Sequence, residues 1–160
     1  MSIYGISGAP LPSGLRYGAA VTAACADRDM PPCLLYAIAW RESISGEVNG
    51  QWPDAATVIS GDGGHGLMQL TSSWPDDWAD PIPNVLYAID EFVLPAIHYW
   101  HGLQRFAGDT LVLLVGATFN EGLSAAEKYH ALGNVDAGTS NSYGHAILGF
   151  SQKLSAGLAP

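Results

Sequence analysis

The sequence predicts a predominantly helical α+β domain with a small irregular or β-like lobe inserted after the second helix. Three observations carry this. Apolar residues make up 48% of the 160 positions against 13% charged, enough to bury one core in a chain of single-domain size. Apolar side chains recur at helical spacing in several stretches that proline and glycine punctuate. Between two of those stretches, residues 45–66 hold six glycines and no sustained period.

In chain order, residues 1–14 hold three Gly and two Pro and read as an extended arm of the single domain 1–160. Small and apolar residues then run nearly unbroken over 15–26, a helix suited to close packing. Met30-Pro31-Pro32 breaks the chain, and a proline fits the first turn of a new helix. That helix, about 32–43, is apolar nearly all round through Leu34, Leu35, Ala37, Ile38 and Ala39, so it should be central and buried. The glycine-rich stretch 45–66 follows as an irregular lobe with short β-prone pieces such as Thr57-Val58-Ile59; irregular segments of this length in compact domains are usually functional or disordered. Residues 73–83, rich in Trp, Asp and Pro, are a further loop. Asn84 is placed to cap a long helix reaching Leu103, with Pro95 predicting a kink or break inside it. Asp109 is placed to cap a helix over 110–120 that Gly122 ends. A short helix to His130, a loop over 133–139, and a last helix opened by Ser140 or Asn141 complete the chain.

Charge narrows the partners. Six Lys plus Arg against fifteen Asp plus Glu give a net charge of −9, and the basic residues are scattered singly. A nucleic-acid groove or an anionic membrane surface needs clustered cations, so neither is expected. No apolar run approaches the ~18 residues of a membrane span, and the N-terminus lacks the pattern of a signal peptide. Cys25 and Cys33 exclude a disulfide-rich scaffold and leave a short bridge or two buried thiols, the latter expected for an intracellular product. Nothing nearby activates Cys25 as a nucleophile. His98 and His101 share a helix face, but no carboxylate at helical spacing completes a metal site, and none is expected.

Glu42 is the first candidate for chemistry. At the C-terminal end of an apolar helix, partial burial and the negative end of the helix dipole both raise its pKa. A carboxylic acid kept protonated near neutral pH is what glycoside hydrolysis needs to protonate a leaving oxygen. The competing reading is a surface glutamate at a fraying helix end. Asp62, between Gly61 and Gly63 and four residues before Gly66, is either a second carboxylate across from Glu42 or an Asp-Gly turn residue. Trp52, Trp74 and Trp78 lie in loops, where each is either a platform for a ligand ring or the centre of a satellite core.

Arg41-Glu42-Ser43, Gly46, the run Gly64-His65-Gly66-Leu67-Met68-Gln69, and Ala117-Thr118-Phe119-Asn120-Glu121-Gly122 occur in that order. Together with residues 139–152, which include Tyr143, this set resembles the goose-type lysozymes and the related soluble lytic transglycosylases over about residues 34–153. The specificity lies in the ordered set rather than in any one piece. The resemblance implies a lysozyme-like fold and a muramidase that hydrolyses the β-1,4 bond between N-acetylmuramic acid and N-acetylglucosamine. It makes Glu42 the general acid and Asp62 the general base, with Ser43, His65, Met68, Gln69, Asn120 and Tyr143 binding or orienting substrate. For Met68 core packing, and for Asn120 a helix cap, stand beside those roles. No cofactor and no metal are implied; the partner is the glycan strand of peptidoglycan and the protein a monomer. Small size and the lack of an appended wall-binding module imply a phage endolysin released from the cytoplasm to the wall, or a virion-borne or secretion-associated counterpart.

The same resemblance leaves three other activities in view: a lytic transglycosylase, which has the acid and no base, a chitinase on the same scaffold, and a non-catalytic glycan-binding or virion structural module. The sequence also departs from the family pattern. Thr71 stands where goose-type enzymes often carry another aspartate, and Phe119 replaces the tyrosine of a Tyr-Asn pair. Glu121 replaces a small alanine; facing the cleft it would raise the pKa of Glu42, and facing out it would be a solvated helix end.

Overall fold

A computed structural model describes residues 2–139 and 142–160 of the chain, and these are mostly helical. The arm opens with two short antiparallel strands, β1 (Ser2–Ile3) and β2 (Ile6–Ser7), and is extended after them. The hairpin is tied to the body where Gly108 N–H donates to Tyr4 O at 3.2 Å. Helix α1 (Gly18–Asp27) packs against α2 (Pro32–Ala39), which begins with proline in its first turn as expected. From Cys33 to Ala39 no residue of α2 is more than 1% exposed. This is the core helix that its all-round apolar sequence requires. It does not stop at Ser43 but runs on through a π-helical turn, Trp40–Ile44, into α3 (Ser45–Val48).

The lobe after α3 contains no regular strand. Single antiparallel bridges join Ile59 to His65 and His65 to Leu70, and glycines at 61, 63, 64 and 66 interrupt any longer ladder. Tyr17, at the N-terminus of α1, ties that helix to α3 and the start of the lobe, its phenol 2.9 Å from Glu47 Oε2 and 2.7 Å from Asp54 Oδ1.

The next helical run starts at Pro81 rather than Asn84, because Asp80 supplies the cap, its Oδ1 accepting Ile82 N–H at 3.0 Å. α4 (Pro81–Ala88) passes through a π turn (Ile89–Val93) into α5 (Leu94–Ile97) and a second π turn (His98–Leu103). The break predicted at Pro95 is absent. The π turn immediately before it has already left the α-helical register, and so accommodates a residue with no N–H to give. α6 (Gly108–Glu121) is not capped by Asp109, which lies inside its first turn and accepts from Gln152 Nε2 at 2.8 Å. Gly122, at φ +81°, ends α6 as predicted. α7 (Leu123–Ala131), a 3₁₀ turn (Val135–Gly138) within the expected loop, and α8 (Tyr143–Ser155) follow. The caps expected at Ser140 or Asn141 lie outside the described residues. α8 packs across both α2 and α6, so the first and last core helices meet at the centre.

Cys25 and Cys33 are free, buried thiols, and burial pushes Cys25 up to about 12. Among the described residues no helix is long and apolar enough to cross a membrane.

Candidate active site

Glu42 lies in the π turn that follows α2. The turn closes with Ser45 N–H donating to Trp40 O, a wider loop than an α-helix makes; within it Trp40, Arg41 and Glu42 are half-buried while Ser43 and Ile44 stay in the core. This lets a helix with an apolar surface nearly all round present a carboxyl to a cleft. That cleft, of about 340 Å³, is lined by Glu42 and, from the lobe and α6, by Trp52, Ser60, Asp62, Gln69, Thr71, Phe119 and Asn120.

Burial pushes the Glu42 carboxyl up to about 7. The Tyr143 phenol, which donates to Glu42 Oε1, and the Arg41 guanidinium favour the charged form, while the negative charge of Asp62 disfavours it. Asp62 is in the opposite condition. It is exposed, accepts a hydrogen bond from Ser60 Oγ, and is held by that bond below the usual carboxylate range. Two carboxyls thus line one cleft in opposite conditions, Glu42 half-buried and raised to about 7, Asp62 exposed and held low, the kind of separation that environment imposes on a carboxyl pair.

The turn carrying Gln69 is built by backbone conformation and one buried amide. Gly66 has φ +68° and Gln69, a non-glycine, φ +48°. A side chain on Gly66 would sit 2.7 Å from both Asn84 Nδ2 and Trp78 O, so only glycine fits. Asn84, wholly buried, accepts Met68 N–H at 2.8 Å and donates to His65 O at 3.1 Å, holding both ends of the turn. Gln69 folds back to donate to Gly66 O at 2.8 Å. Opposite it, Gly46 lies flat under the Trp52 indole, where any Cβ would collide with the ring.

Several expected substrate contacts are placed elsewhere. Met68 is 0% exposed and belongs to the core, because the turn points it inward. Ser43 is buried, and its hydroxyl donates to Leu67 O at 2.7 Å, joining the π turn to the Gln69 turn without reaching the cleft. His65 is not on the cleft wall. Its Nδ1 is 2.8 Å from Gly63 O, and its ring stacks on Trp74 at 3.7 Å and meets Trp78 edge-on at 5.0 Å. Trp74 and Trp78 therefore form a satellite cluster with His65, and Trp52 is the tryptophan that faces the cleft. Tyr143 is 3% exposed and acts on Glu42 from behind. Gln69 and Asn120 stand on the cleft wall as expected. Glu121 takes neither predicted orientation. Both of its carboxyl oxygens are buried without a hydrogen-bond partner, beside Gly138 and Tyr129, and burial with the charge of Asp136 pushes it up.

Asn84 was legible only as a cap. The signal for its inward role is its position four residues before Ala88 on the apolar stripe of α4. Among the described residues no group of three or more His, Cys, Asp or Glu is placed to hold a metal ion; His98 is exposed and His101 Nδ1 is 2.7 Å from Phe106 O. No protein-family model matches the chain, nor does any curated protein or solved structure.

Proposed function

We propose that the protein is a lysozyme-like muramidase that hydrolyses the β-1,4 bond between N-acetylmuramic acid and N-acetylglucosamine in peptidoglycan. The observation that carries this reading is the carboxyl pair on the cleft: Glu42, pushed up to about 7, and Asp62, held ionised beside it. Glu42 protonates the leaving glycosidic oxygen, positive charge develops on the anomeric carbon, and a water activated by Asp62 attacks from the opposite face. Gln69 and Asn120 carry amides that donate to and accept from N-acetyl groups, and Trp52 offers a ring face to a sugar. An endolysin or virion-borne role is the setting that goes with this activity.

A lytic transglycosylase is the second reading, and Thr71 favours it: this cleft residue stands where the resemblance expects an aspartate, leaving Asp62 alone as a base. Digestion of purified sacculi with product analysis by mass spectrometry tests both. Reducing ends, lost in Glu42→Gln and in Asp62→Asn, are the expected result. Products ending in 1,6-anhydromuramic acid, with Asp62→Asn still active, would replace hydrolysis by transglycosylation. Cleavage of chitin oligomers but not sacculi would make the enzyme a chitinase. Lysis undiminished in Glu42→Gln would remove the assignment altogether.

A further inference from the structure

We infer that Asp136, on the 3₁₀ turn before α8, is a positioning residue that sets the protonation of Glu42 through Tyr143; the inference rests on the reading of Glu42 as the acid. Asp136 is buried, with 5% of its side chain exposed, and every lone-pair direction of its carboxylate is in use. Oδ1 accepts Gly144 N–H at 2.7 Å and Thr139 Oγ1 at 3.0 Å. Oδ2 accepts His145 N–H at 3.0 Å and lies 2.5 Å from His145 Nδ1. Thr139 Oγ1 in turn accepts the N–H of Tyr143 at 3.0 Å.

The first amides of α8 thus end on two side chains of the preceding turn, and a helix N-terminus attracts an anion there. Burial pushes the Asp136 carboxyl up, but the bonds from His145, Gly144 and Thr139 outweigh it and hold the group below its usual range. Gly144 fixes the position further, since a Cβ there would sit 2.7 Å from Leu113 O and 2.9 Å from Asp136 Oδ1. The N-terminus of α8 is thus seated closely on α6, and its first residue, Tyr143, donates its phenol to Glu42 Oε1. The titratable groups facing Asp136 are His145 and the unpartnered Glu121, neither of which lines the cleft.

The test follows the Glu42 carboxyl carbon by NMR titration in the full chain, which requires no substrate. In Asp136→Asn the amide cannot accept from the α8 backbone at both ends, and the Tyr143–Glu42 bond is expected to weaken. Glu42 should then titrate higher by about half a unit to one unit, the direction given by losing a bond to the charged form. Removing a distant negative charge without moving Tyr143 would shift Glu42 the opposite way. Thr139→Val, which changes no charge, should give an upward shift too, and carries the test if Asp136→Asn does not fold. Combining either substitution with Tyr143→Phe should shift Glu42 no further than Tyr143→Phe alone. An unchanged or lowered midpoint in Thr139→Val, or shifts that add in the double variant, would overturn the inference. Coupled titrations in a protein with no lytic activity would instead remove the muramidase reading and leave the coupling standing.

Discussion

At Glu42 one carboxyl answers to burial, a phenol, a guanidinium and a second carboxylate, and the sign of each is open to experiment. A general acid works only while protonated, so lysis should hold at mildly acidic pH and fall as pH rises through about 7, the value to which burial brings Glu42. The Tyr143 bond favours the charged form, so Tyr143→Phe should move that alkaline limb upward while lowering the plateau by about tenfold as the carboxyl loses its anchor. Asp62→Asn should move the Glu42 titration downward, because a repelling charge has gone. The first is read from pH–rate profiles, the second from the Glu42 carboxyl resonance; shifts in the same direction would show that the two groups do not act on one carboxyl as described. The residues carrying these effects were legible in sequence where chemistry follows from type and place: a glutamate at the end of an apolar helix, an aspartate among glycines. Met68 and Ser43 were not. Their membership in a motif says nothing about facing, and a turn containing left-handed Gly66 and Gln69 sends neighbouring side chains to opposite sides.

Among the elements, the Gly66–Gln69 turn depends most on a single side chain. Asn84→Ala would leave Met68 N–H buried and unpaired and His65 O with Leu70 N–H as its remaining partner. For one orphaned buried group the cost should be about 1–3 kcal/mol, measured as a lower urea midpoint with unchanged slope. Equal stability of the two proteins would remove the staple role. The helices themselves were visible because apolar spacing survives in α2, α4 and α6. The π turns were not, since one added residue in a buried helix leaves the pattern apolar. Nor was the true start of α4: Asn84 reads as a cap from its residue type, while Asp80 followed by Pro81 held the stronger signal.

For the whole molecule, the net charge of −9 separates the proposed target from long-range attraction. Bacterial walls are often anionic, so on the proposed reading recognition would rest on hydrogen bonds and stacking inside the cleft. Lysis should then change less than about twofold between roughly 50 and 200 mM salt, where a basic enzyme would lose rate as screening grows. A collapse of activity over that range, followed by turbidity, would contradict this picture of the surface. The layout of one helical body with an irregular insertion was readable from where the apolar period stops. The latch from Tyr17 to Glu47 and Asp54 was not, because it joins residues 30 and 37 positions apart that no local pattern relates. Separation along the chain also governs when the molecule becomes competent. Glu42 and Tyr143 are 101 positions apart. During synthesis the acid leaves the ribosome early and its phenol arrives only with the last helix. Until α8 docks against α2 and α6, Glu42 lacks the Tyr143 bond, so on the proposed reading the carboxyl gains its anchor only once the last helix is in place.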